Sequence, residues 1–377
     1  MSRIFLVAAE SSGDALGADL VRALRARDPK LEIAGVGGTM MAEQGVKSAV
    51  DISGLAVLGF VEGLKAYGRV KQAVKEAVAA ILAAQPNVVV LIDSWGFTLR
   101  VAQGVRAAAP QIKLVKYIGP QVWATRPGRA ETLAKSVDHL IAIHDFEAPY
   151  YMPFGLPVTV CGHPAFGRYK AGDAAAFRAR HALGADEKMV LVLPGSRATE
   201  VRRVGPVLWE AARLLQAQRP ELRLAVVAAG AVADAVKQQA PQAALIVDEP
   251  EKEDAFAAAT IALAASGTVT TEVALQGAPV IVGYKVGAIT GALMKRVIRT
   301  PYVTLMNVAA KREIVPEFLQ ERLTAENLAA AAAPLLDDAS ARAERVRLQN
   351  EALDSMGRGA RPAAEIAADA VLDVLER

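Results

Sequence analysis

The sequence predicts an α/β protein with two Rossmann-like, doubly wound parallel-sheet domains facing a cleft, followed by a helical C-terminal tail. Short apolar runs alternate with helical patterns, first near the N-terminus and again from residue 189. Hydrophobic residues make up 53% of the 377 residues and aromatic residues only 5%, so Ala, Val, Leu and Ile must fill the core. Such a composition suits parallel sheets, whose central strands are buried on both faces.

The first alternation predicts an N-terminal domain at residues 1–168. We expect its strands at 4–9, 32–36, 88–92, 113–118, 139–143 and 158–161. The helical patterns between these runs imply βαβ units with right-handed crossovers. Residues 165–185 are polar and rich in turn formers, which is typical of an interdomain linker.

The second alternation predicts a domain at residues 169–350. We expect its strands at 189–193, 222–227, 244–247, 261–264 and 279–282, and a wholly helical pattern from residue 325. For the last segment, 351–377, packing back on the N-terminal domain is one alternative. Ligands of doubly wound sheets bind beyond the carboxyl ends of the strands, so two such sheets predict a ligand cleft.

Composition and charge exclude several classes of protein. The net charge is only +3, and the chain contains no dense basic stripe or nucleic-acid-binding motif, so we expect no nucleic acid partner. The single cysteine, Cys161, excludes an internal disulfide and a cysteine-cluster metal site, and the four histidines lack metal-ligand spacing. No apolar run approaches the ~20 residues of a membrane span. We therefore expect a cytoplasmic protein, or one held at a membrane surface.

Two short turns in the second half predict a diphosphate site. The sequences LPGSR at 193–197 and ASGT at 265–268 each end an apolar run and open a helical pattern. Helix N-termini carry unpaired N–H groups and partial positive charge, which suit phosphate. The candidate contacts, with Glu272 as a carboxylate for the ribose hydroxyls, are Gly195, Ser196, Arg197, Ser266, Gly267, Thr268 and Glu272. The alternative is a pair of helix caps with an exposed Arg and a Glu that complements the helix dipole.

The loop after the first predicted strand, at 8–20, is the first candidate of the N-terminal half. A helix starting near Asp14 would be capped by Ser11 or Ser12, and Gly13 would permit close approach of a ligand. Glu10 ends the strand and would face the cleft. The loop lacks the GxGxxG fingerprint, which weakens a dehydrogenase hypothesis. The alternative is a well-capped helix start with surface carboxylates.

Four further positions are candidates. Asp93 follows the most apolar strand of the first half, where a carboxylate is either a turn or cap residue or a base whose pKa is raised by its apolar surroundings. His163 lies in CGHPAFG and is either a hydrogen-bonded turn residue or a ligand contact. Asn307 and Gln320 lie in a segment without clean periodicity and would face the cleft.

Two apolar segments have more than one interpretation. The run at 55–64, LAVLGFVEGL, either binds acyl chains or is buried. The segment 287–300 has an apolar stripe with basic residues, so it either lies on an anionic bilayer or covers the sheet.

These motifs together resemble one family, lipid-A-disaccharide synthase, the glycosyltransferase of the lipid A pathway in Gram-negative bacteria. The resemblance runs nearly end to end and rests on ordered segments: ESSGD at 10–14, LAVLGFVE at 55–62, YIGPQVWA at 117–124, GHP at 162–164, LPGSR at 193–197, ASGT and TTE at 265–272, and PEFLQ at 316–320. It implies the B-type glycosyltransferase fold. It also implies inverting transfer of 2,3-diacylglucosamine from UDP-2,3-diacylglucosamine to the 6-hydroxyl of 2,3-diacylglucosamine 1-phosphate.

The resemblance also implies roles and partners. Asp93 would deprotonate the acceptor, Glu10 would orient it, and Ser12, Gly13, Asp14 and His163 would lie nearby. The two turns would hold UDP, with Asn307 and Gln320 near them. No metal or other cofactor is implied. The expected location is the inner face of the inner membrane, where the protein would be peripheral, and a homodimer is compatible with the family.

Two positions depart from the family's pattern. The family usually has a second carboxylate three residues after the first, followed by Phe and Asn, where this chain has Gly96, Phe97 and Thr98. Asp93 is then the only acid of its loop. Lys311 stands where the family commonly has glycine.

Three rival functions remain open at this point. A UDP-sugar 2-epimerase shares the architecture and the diphosphate turns but needs acid and base groups around the donor sugar. Another nucleotide-sugar glycosyltransferase would keep the fold and change the acceptor. A non-catalytic nucleotide-sugar-binding protein would not need Asp93.

Overall fold

The computed structural model describes residues 2–52, 63–228, 230–287 and 300–377. The chain forms two compact units, one of Met1–Gly167 with Gly359–Arg377 and one of Arg168–Arg358. The expected apolar run at 55–64 and the amphipathic segment at 287–300 lie outside the described residues, apart from a few at their ends. Among the described residues, no helix combines the length and apolarity needed to cross a membrane.

The first unit is built on a six-stranded parallel sheet. Its strands are β1 (Arg3–Ala8), β2 (Glu32–Val36), β3 (Val88–Ile92), β4 (Lys113–Tyr117), β5 (His139–Ala142) and β6 (Val158–Val160). Its helices up to Gly167 are α1 (Ser11–Arg27), α2 (Thr39–Glu43), α3 (Gly63–Ala84), α4 (Trp95–Ala108), α5 (Arg129–Ala134) and α6 (Pro164–Gly167). The strand order is β2-β1-β3-β4-β5-β6 with parallel pairing throughout. The order therefore reverses between β1 and β3, which is the topological switch point where doubly wound sheets bind ligands.

Alternating side chains of the strands build a core on each face of this sheet. Phe5 and Val7 of β1 pack with α3 and α4, whereas Ile4 and Leu6 pack on the other face with α1. All five residues of β3 are buried. The near-continuous apolar composition of this strand follows from its burial on both faces.

The second unit is built on another six-stranded parallel sheet. Its strands are β7 (Met189–Leu193), β8 (Arg223–Ala228), β9 (Leu245–Asp248), β10 (Ile261–Ala265), β11 (Val280–Tyr284) and β12 (Glu317–Leu319). Its helices are α7 (Ala174–Arg180), α8 (Ala198–Arg203), α9 (Gly205–Gln218), α10 (Ala233–Gln239), α11 (Lys252–Ala258), α12 (Val269–Leu275), α13 (Leu305–Ala310), α14 (Ala325–Asp337) and α15 (Ala339–Ser355). The order β12-β11-β10-β7-β8-β9 is that of the dinucleotide-binding Rossmann sheet, with its switch point between β7 and β10.

The C-terminal region is helical, as the sequence predicts. Helix α14 packs against α9 on one face of the second sheet. Helix α15 continues through residue 350, and the second unit extends to Arg358. The last helix, α16 (Ala363–Glu376), packs against α1 and completes the core on that face of the first sheet.

The predicted fold class is confirmed, and the predicted strands are found with bounds that differ by no more than two residues. Strand β12 is absent from the prediction. It has only three residues, and its first, Glu317, is a buried carboxylate that breaks the apolar pattern. Periodicity cannot identify a strand so short.

The unusual residue Lys311 has a clear conformational setting. It ends α13 with a φ of 53°, which is the left-handed region that glycine adopts without steric strain. A residue with a Cβ costs about 1 kcal/mol more there. The common glycine of the family therefore suits the backbone, and this chain tolerates the lysine at the surface.

Candidate active site

Asp93 lies at the switch point of the first sheet. It follows β3 directly, and Glu10 follows the neighbouring β1, so both carboxylates project from adjacent strand ends. Asp93 is half-buried and Glu10 is exposed. The sheet topology thus brings together two acids that are distant in sequence, at the edge where such sheets bind their ligands.

The backbone at Asp93 adopts an unusual conformation. Asp93 and Ser94 have φ values of 49° and 45°, so two consecutive non-glycine residues are left-handed. The N–H of Asp93 donates to the carbonyl of Tyr117 at 2.9 Å. The hydroxyl of Thr98 donates to the Asp93 carbonyl at 2.8 Å. Such strained residues persist only where surrounding contacts hold them, and they cluster at functional sites.

Two serine hydroxyls connect the segment that follows β1 with the segment that follows β3. Ser12 donates to Oδ2 of Asp93 at 3.1 Å, and Ser94 donates to Oε1 of Glu10 at 2.5 Å. The acid that follows each strand therefore accepts a hydrogen bond from a serine that follows the other strand. The exposure of Glu10 and Ser12 leaves this paired arrangement open to a ligand.

The expected cap of α1 is wrong. The helix starts at Ser11 rather than near Asp14, and its N-cap residue is Glu10, which makes no side-chain cap hydrogen bond. Ser12 instead binds Asp93 across the site. Ser12 therefore contacts Asp93 instead of capping the helix, and the spacing in the sequence does not predict this contact.

Asp14 and Gly13 are buried in the first turn of α1. The buried Asp14 carboxylate accepts from the backbone N–H groups of Gly38, Met40 and Met41 at 2.7–3.1 Å, so it caps α2. These bonds use the Asp14 carboxylate inside the unit, and its proximity to the acceptor stays a prediction. Gly13 is buried, and a Cβ there would lie 3.4 Å from the Cβ of Ala8, which is an ordinary van der Waals contact.

Lys116 is a buried residue near Asp93 that is absent from the candidates predicted from the sequence. This residue is 2% exposed and lies on β4 beside Leu91 of β3. Its Nζ donates to the carbonyl of Asp93 and, at 2.7 Å, to the hydroxyl of Thr98. Burial lowers the pKa of Lys116 to about 7, while the carboxylates of Asp93 and Glu10 act in the opposite direction. The only available signal was a lysine between Val115 and Tyr117, near the end of a predicted strand.

His163 follows β6 in a row of rings at the same end of the sheet. It is buried, and its Nδ1 accepts from the N–H of Ala165 at 3.2 Å. Its ring lies 5.8 Å from that of His144, which stacks on Phe146. Burial, followed by the effect of His163, lowers the pKa of His144 to about 3. The hydrogen-bonded turn residue, one of the two alternatives for His163, is present.

Glu147 is a buried acid beside this row. It accepts from the N–H of His144 at 2.9 Å, and burial raises its pKa to about 7, partly offset by backbone hydrogen bonds. Because His144 is neutral in this range, its ring supplies no positive charge to Glu147. Burial therefore favours the neutral carboxylic acid of Glu147 over its ionised carboxylate.

Replacing Glu147 by Gln is expected to stabilise the protein at alkaline pH. The pKa of Glu147 is about 7 in the folded protein against a usual 4.5, so its contribution to stability is present at low pH and is lost as the pH rises through 7. The difference in the free energy of unfolding between the variant and wild type should be on the order of 2 kcal/mol more favourable to the variant at about pH 8 than at about pH 5. Urea unfolding at both pH values measures this. An equal difference at both would contradict the buried-acid interpretation.

The two predicted phosphate turns lie together in the second unit. The turn 193–197 follows β7 and the turn 265–268 follows β10, so both lie at the switch point of that sheet. They line one cavity of about 340 Å³. The lining includes every residue predicted for UDP, with further residues from neighbouring elements: Gly195, Ser196, Arg197, Glu200, Val227, Val232, Glu249, Lys252, Phe256, Ser266, Gly267, Thr268 and Glu272.

The first turn is organised by Glu200, which the sequence analysis did not identify. Its Oε2 accepts from the N–H groups of Ser196 and Arg197 at 3.2 and 3.3 Å, and its Oε1 accepts from Arg197 Nη1 at 2.8 Å. Gly195 has a φ of 112°, and a Cβ there would lie 2.6 Å from Glu200. The spacing S-R-x-x-E resembles a capping box and was an available signal. Arg197 remains 76% exposed and can reach a ligand.

The second turn is more open. Gly267 and Thr268 are exposed, and α12 begins at the next residue. Glu272 lies in the first turns of α12 and lines the cavity, where its Oε2 is 3.7 Å from Nζ of Lys252. A carboxylate in this position has oxygens that can accept hydrogen bonds from two hydroxyls. Phe256 and Val227 give the cavity an apolar wall that the sequence did not indicate.

Asn307 and Gln320 differ in accessibility. Asn307 is fully buried; its Nδ2 donates to Val315 and Glu317, and its Oδ1 accepts from two backbone N–H groups. The expectation that this side chain faces a cleft is therefore wrong, because every polar atom is used inside the unit. Gln320 is half-buried with a φ of 53° and begins a short 3-10 helix after β12. Within the described ranges, no group of three or more His, Cys, Asp or Glu side chains is placed to hold a metal ion.

Two parallel doubly wound sheets, one followed by acids and the other by small-residue turns at helix starts, are typical of B-type-fold glycosyltransferases and of the nucleotide-sugar epimerases that share their architecture. Solved structures of that class are similar in fold. The UDP-GlcNAc 2-epimerase from Neisseria meningitidis bound to UDP-GlcNAc has a TM-score of 0.67 at 11% identity, covering 99% of this chain and 100% of that one. The S. aureus MnaA–UDP structure has a TM-score of 0.64 at 15% identity, covering 99% and 95%.

The chain belongs to the lipid-A-disaccharide synthase family. The family model described as lipid-A-disaccharide synthetase matches residues 4–371. The lipid-A-disaccharide synthase of Rhodospirillum centenum is 41% identical over 380 residues, which cover 99% of this chain and 95% of the relative. The family expected from the ordered motifs is confirmed, and it is favoured over the epimerase alternative.

Proposed function

We propose that this glycosyltransferase moves 2,3-diacylglucosamine from UDP-2,3-diacylglucosamine to the 6-hydroxyl of 2,3-diacylglucosamine 1-phosphate. The products are lipid A disaccharide 1-phosphate and UDP. The single observation that carries the proposal is the family match over residues 4–371. The two half-sites supply a chemical rationale, because one holds carboxylates and the other holds anion-binding turns.

Asp93 is proposed as the base for the acceptor hydroxyl. An α-linked donor that gives a β-linked product requires one in-line displacement with inversion, and the attacking hydroxyl must lose its proton. Asp93 is half-buried at a strand end, and the hydroxyl of Ser12 holds one of its two oxygens. Glu10 is proposed to orient the acceptor from the adjacent loop. It supplies the second carboxylate of the site, in a place different from the family's usual one at Gly96.

The cavity of the second unit is proposed as the UDP site. Arg197 and the N–H groups of the turn 265–268 would stabilise the charge that develops on the leaving diphosphate. Glu272 would accept the ribose hydroxyls. Opposition of this cavity to Asp93 across a cleft is part of the proposal, and no metal ion or cofactor is assigned a role.

The decisive experiment is a direct assay of the reaction. Purified protein is mixed with UDP-diacylglucosamine and diacylglucosamine 1-phosphate, and the products are analysed by mass spectrometry. We expect the disaccharide 1-phosphate and an equal amount of UDP. In a parallel reaction the acceptor is left out. An isomerised UDP-sugar in that reaction, without disaccharide in the first, would support the epimerase alternative and overturn the proposal.

A peripheral position at the cytoplasmic face of the inner membrane is proposed from the substrates. Both carry acyl chains, which remain in a bilayer while the sugars react. Sedimentation with anionic vesicles tests this location, and failure of the protein to pellet with them would contradict it.

A homodimer is proposed from the membership of the chain in its family. Analytical ultracentrifugation at several concentrations measures the oligomeric state.

A further inference from the structure

A fully buried lysine lies directly beneath the turn that carries the proposed base. Lys116 belongs to β4, and its backbone pairs with Leu91 of β3, two residues before Asp93. Its Nζ contacts the Asp93 carbonyl and the Thr98 hydroxyl, while the hydroxyl of Thr98 donates to the same carbonyl at 2.8 Å. Three groups from β4, the Asp93 turn and α4 therefore close a triangle of hydrogen bonds.

The conformation of the turn explains why such a triangle is needed. Asp93 and Ser94 both have left-handed backbones, which cost roughly 1–2 kcal/mol each for residues with a Cβ. The Asp93 carbonyl is the group between these two residues. Contacts that fix this carbonyl therefore fix the direction in which the Asp93 carboxylate leaves the strand end, while the carboxylate itself stays outside the core.

Placing an amine at this position is energetically unfavourable for the fold. Burial lowers the pKa of Lys116 to about 7, so the charged form is destabilised in this position. An apolar side chain of similar length would occupy this buried position on β4, beside Leu91 of β3, without that penalty. The buried amine contacts the carbonyl of Asp93 and the hydroxyl of Thr98, which itself donates to that carbonyl, so its position is better explained by the Asp93 turn than by the stability of the unit.

We propose that Lys116, acting with Thr98, is a positioning residue that holds the Asp93 turn in its reactive geometry without touching the substrate. The inference rests on the proposed function of Asp93 as the base. It also explains a departure of this chain from its family, because Thr98 stands where the family usually has Asn and here bridges the lysine to the turn.

The test compares four single variants and one double variant in the disaccharide assay. Lys116→Met is expected to lower kcat by about 10–100-fold, because a small misplacement of a reacting group has an effect of this size. Its Kd for UDP should stay within about twofold of wild type, since the UDP cavity lies in the other unit. Thermal unfolding should show no loss of stability. Thr98→Val should also lower kcat. Thr98→Ser keeps the hydroxyl and should therefore keep kcat close to the wild-type value.

Asp93→Asn provides the reference background. A residue that acts only through Asp93 has no further effect once the base is removed, so Lys116→Met should not lower the residual activity of Asp93→Asn. An equal loss in both backgrounds would show a merely structural role and overturn the inference. A Lys116→Met enzyme with wild-type kcat, when Asp93→Asn is inactive, would overturn it while leaving the proposed function intact. If Asp93→Asn is itself fully active, both proposals fail. If Lys116→Met does not fold, the Thr98 pair decides: equal activity of Val and Ser variants overturns the inference.

Discussion

Replacing Asp93 by Ala is expected to lower disaccharide formation by about 10²–10⁴-fold, the usual contribution of a general base. The acceptor hydroxyl would keep its proton as the new bond forms, because the carboxylate that removes it is gone. Binding of UDP should be unchanged, since the proposed UDP cavity is built entirely from the second unit. Initial rates measure the first effect, and titration calorimetry with UDP measures the second.

The controls for Asp93 separate its chemistry from its place in the fold. Asp93→Asn keeps the size of the side chain and can still accept from Ser12, so its loss of activity would be due to the missing base. Asp28→Ala removes an Asp at the C-terminus of α1, where it binds the backbone N–H of Lys30, and should leave the rate unchanged. Near-normal turnover by Asp93→Ala would show that another group is the base.

Replacing Arg197 by Ala is expected to raise the Kd for UDP by about 10–100-fold, which corresponds to losing one or two hydrogen bonds to a charged group. The guanidinium is 76% exposed at the edge of the cavity and is held by Glu200. Its removal also leaves the Glu200 carboxylate without its cation beside the expected phosphates. Charge repulsion therefore adds to the loss of contacts, and titration calorimetry measures the sum.

A matched control for Arg197 lies on α9 of the same unit. Arg213 forms an ion pair with Glu210 at the same three-residue spacing and is also exposed, but it does not line the cavity. Arg213→Ala should bind UDP as wild type does. Arg197→Lys keeps the charge and loses the forked geometry, so its affinity should fall between those of wild type and Arg197→Ala. A Kd for Arg197→Ala within about twofold of wild type would contradict phosphate binding at this turn.

The second phosphate turn shows how far local pattern can predict a site. Its residues are consecutive in sequence, and each acts through the backbone that it shares with its neighbours. The order of apolar strand, small-residue turn and helix is therefore enough to place Gly267 and Thr268 at a strand end. The turn at 193–197 likewise lies between β7 and α8, as the sequence predicts, and the spacing from Arg197 to Glu200 is visible in the sequence.

The site around Asp93 shows the opposite situation. Ser12 and Asp93 are 81 residues apart, and Asp14 finds its partners 24–27 residues away on α2. A serine that caps a helix and a serine that binds the carboxylate of a distant Asp have the same local sequence. Asn307 was misjudged for a similar reason, because its partners come from residues 314–317 and are met only in the folded chain.

The sequence by itself determined the family, the two parallel sheets and the strand ends at which the candidate residues lie, because strand burial, helix periodicity and turn composition act over a few neighbouring residues. Only the tertiary structure decided which polar side chains at those ends remain available. It directed Asp14 and Asn307 inward, brought Glu10 and Ser12 to Asp93, and placed Lys116 beneath the turn. These outcomes depend on strand order and on the pairing of buried polar groups between distant segments, and a local pattern contains no information about either.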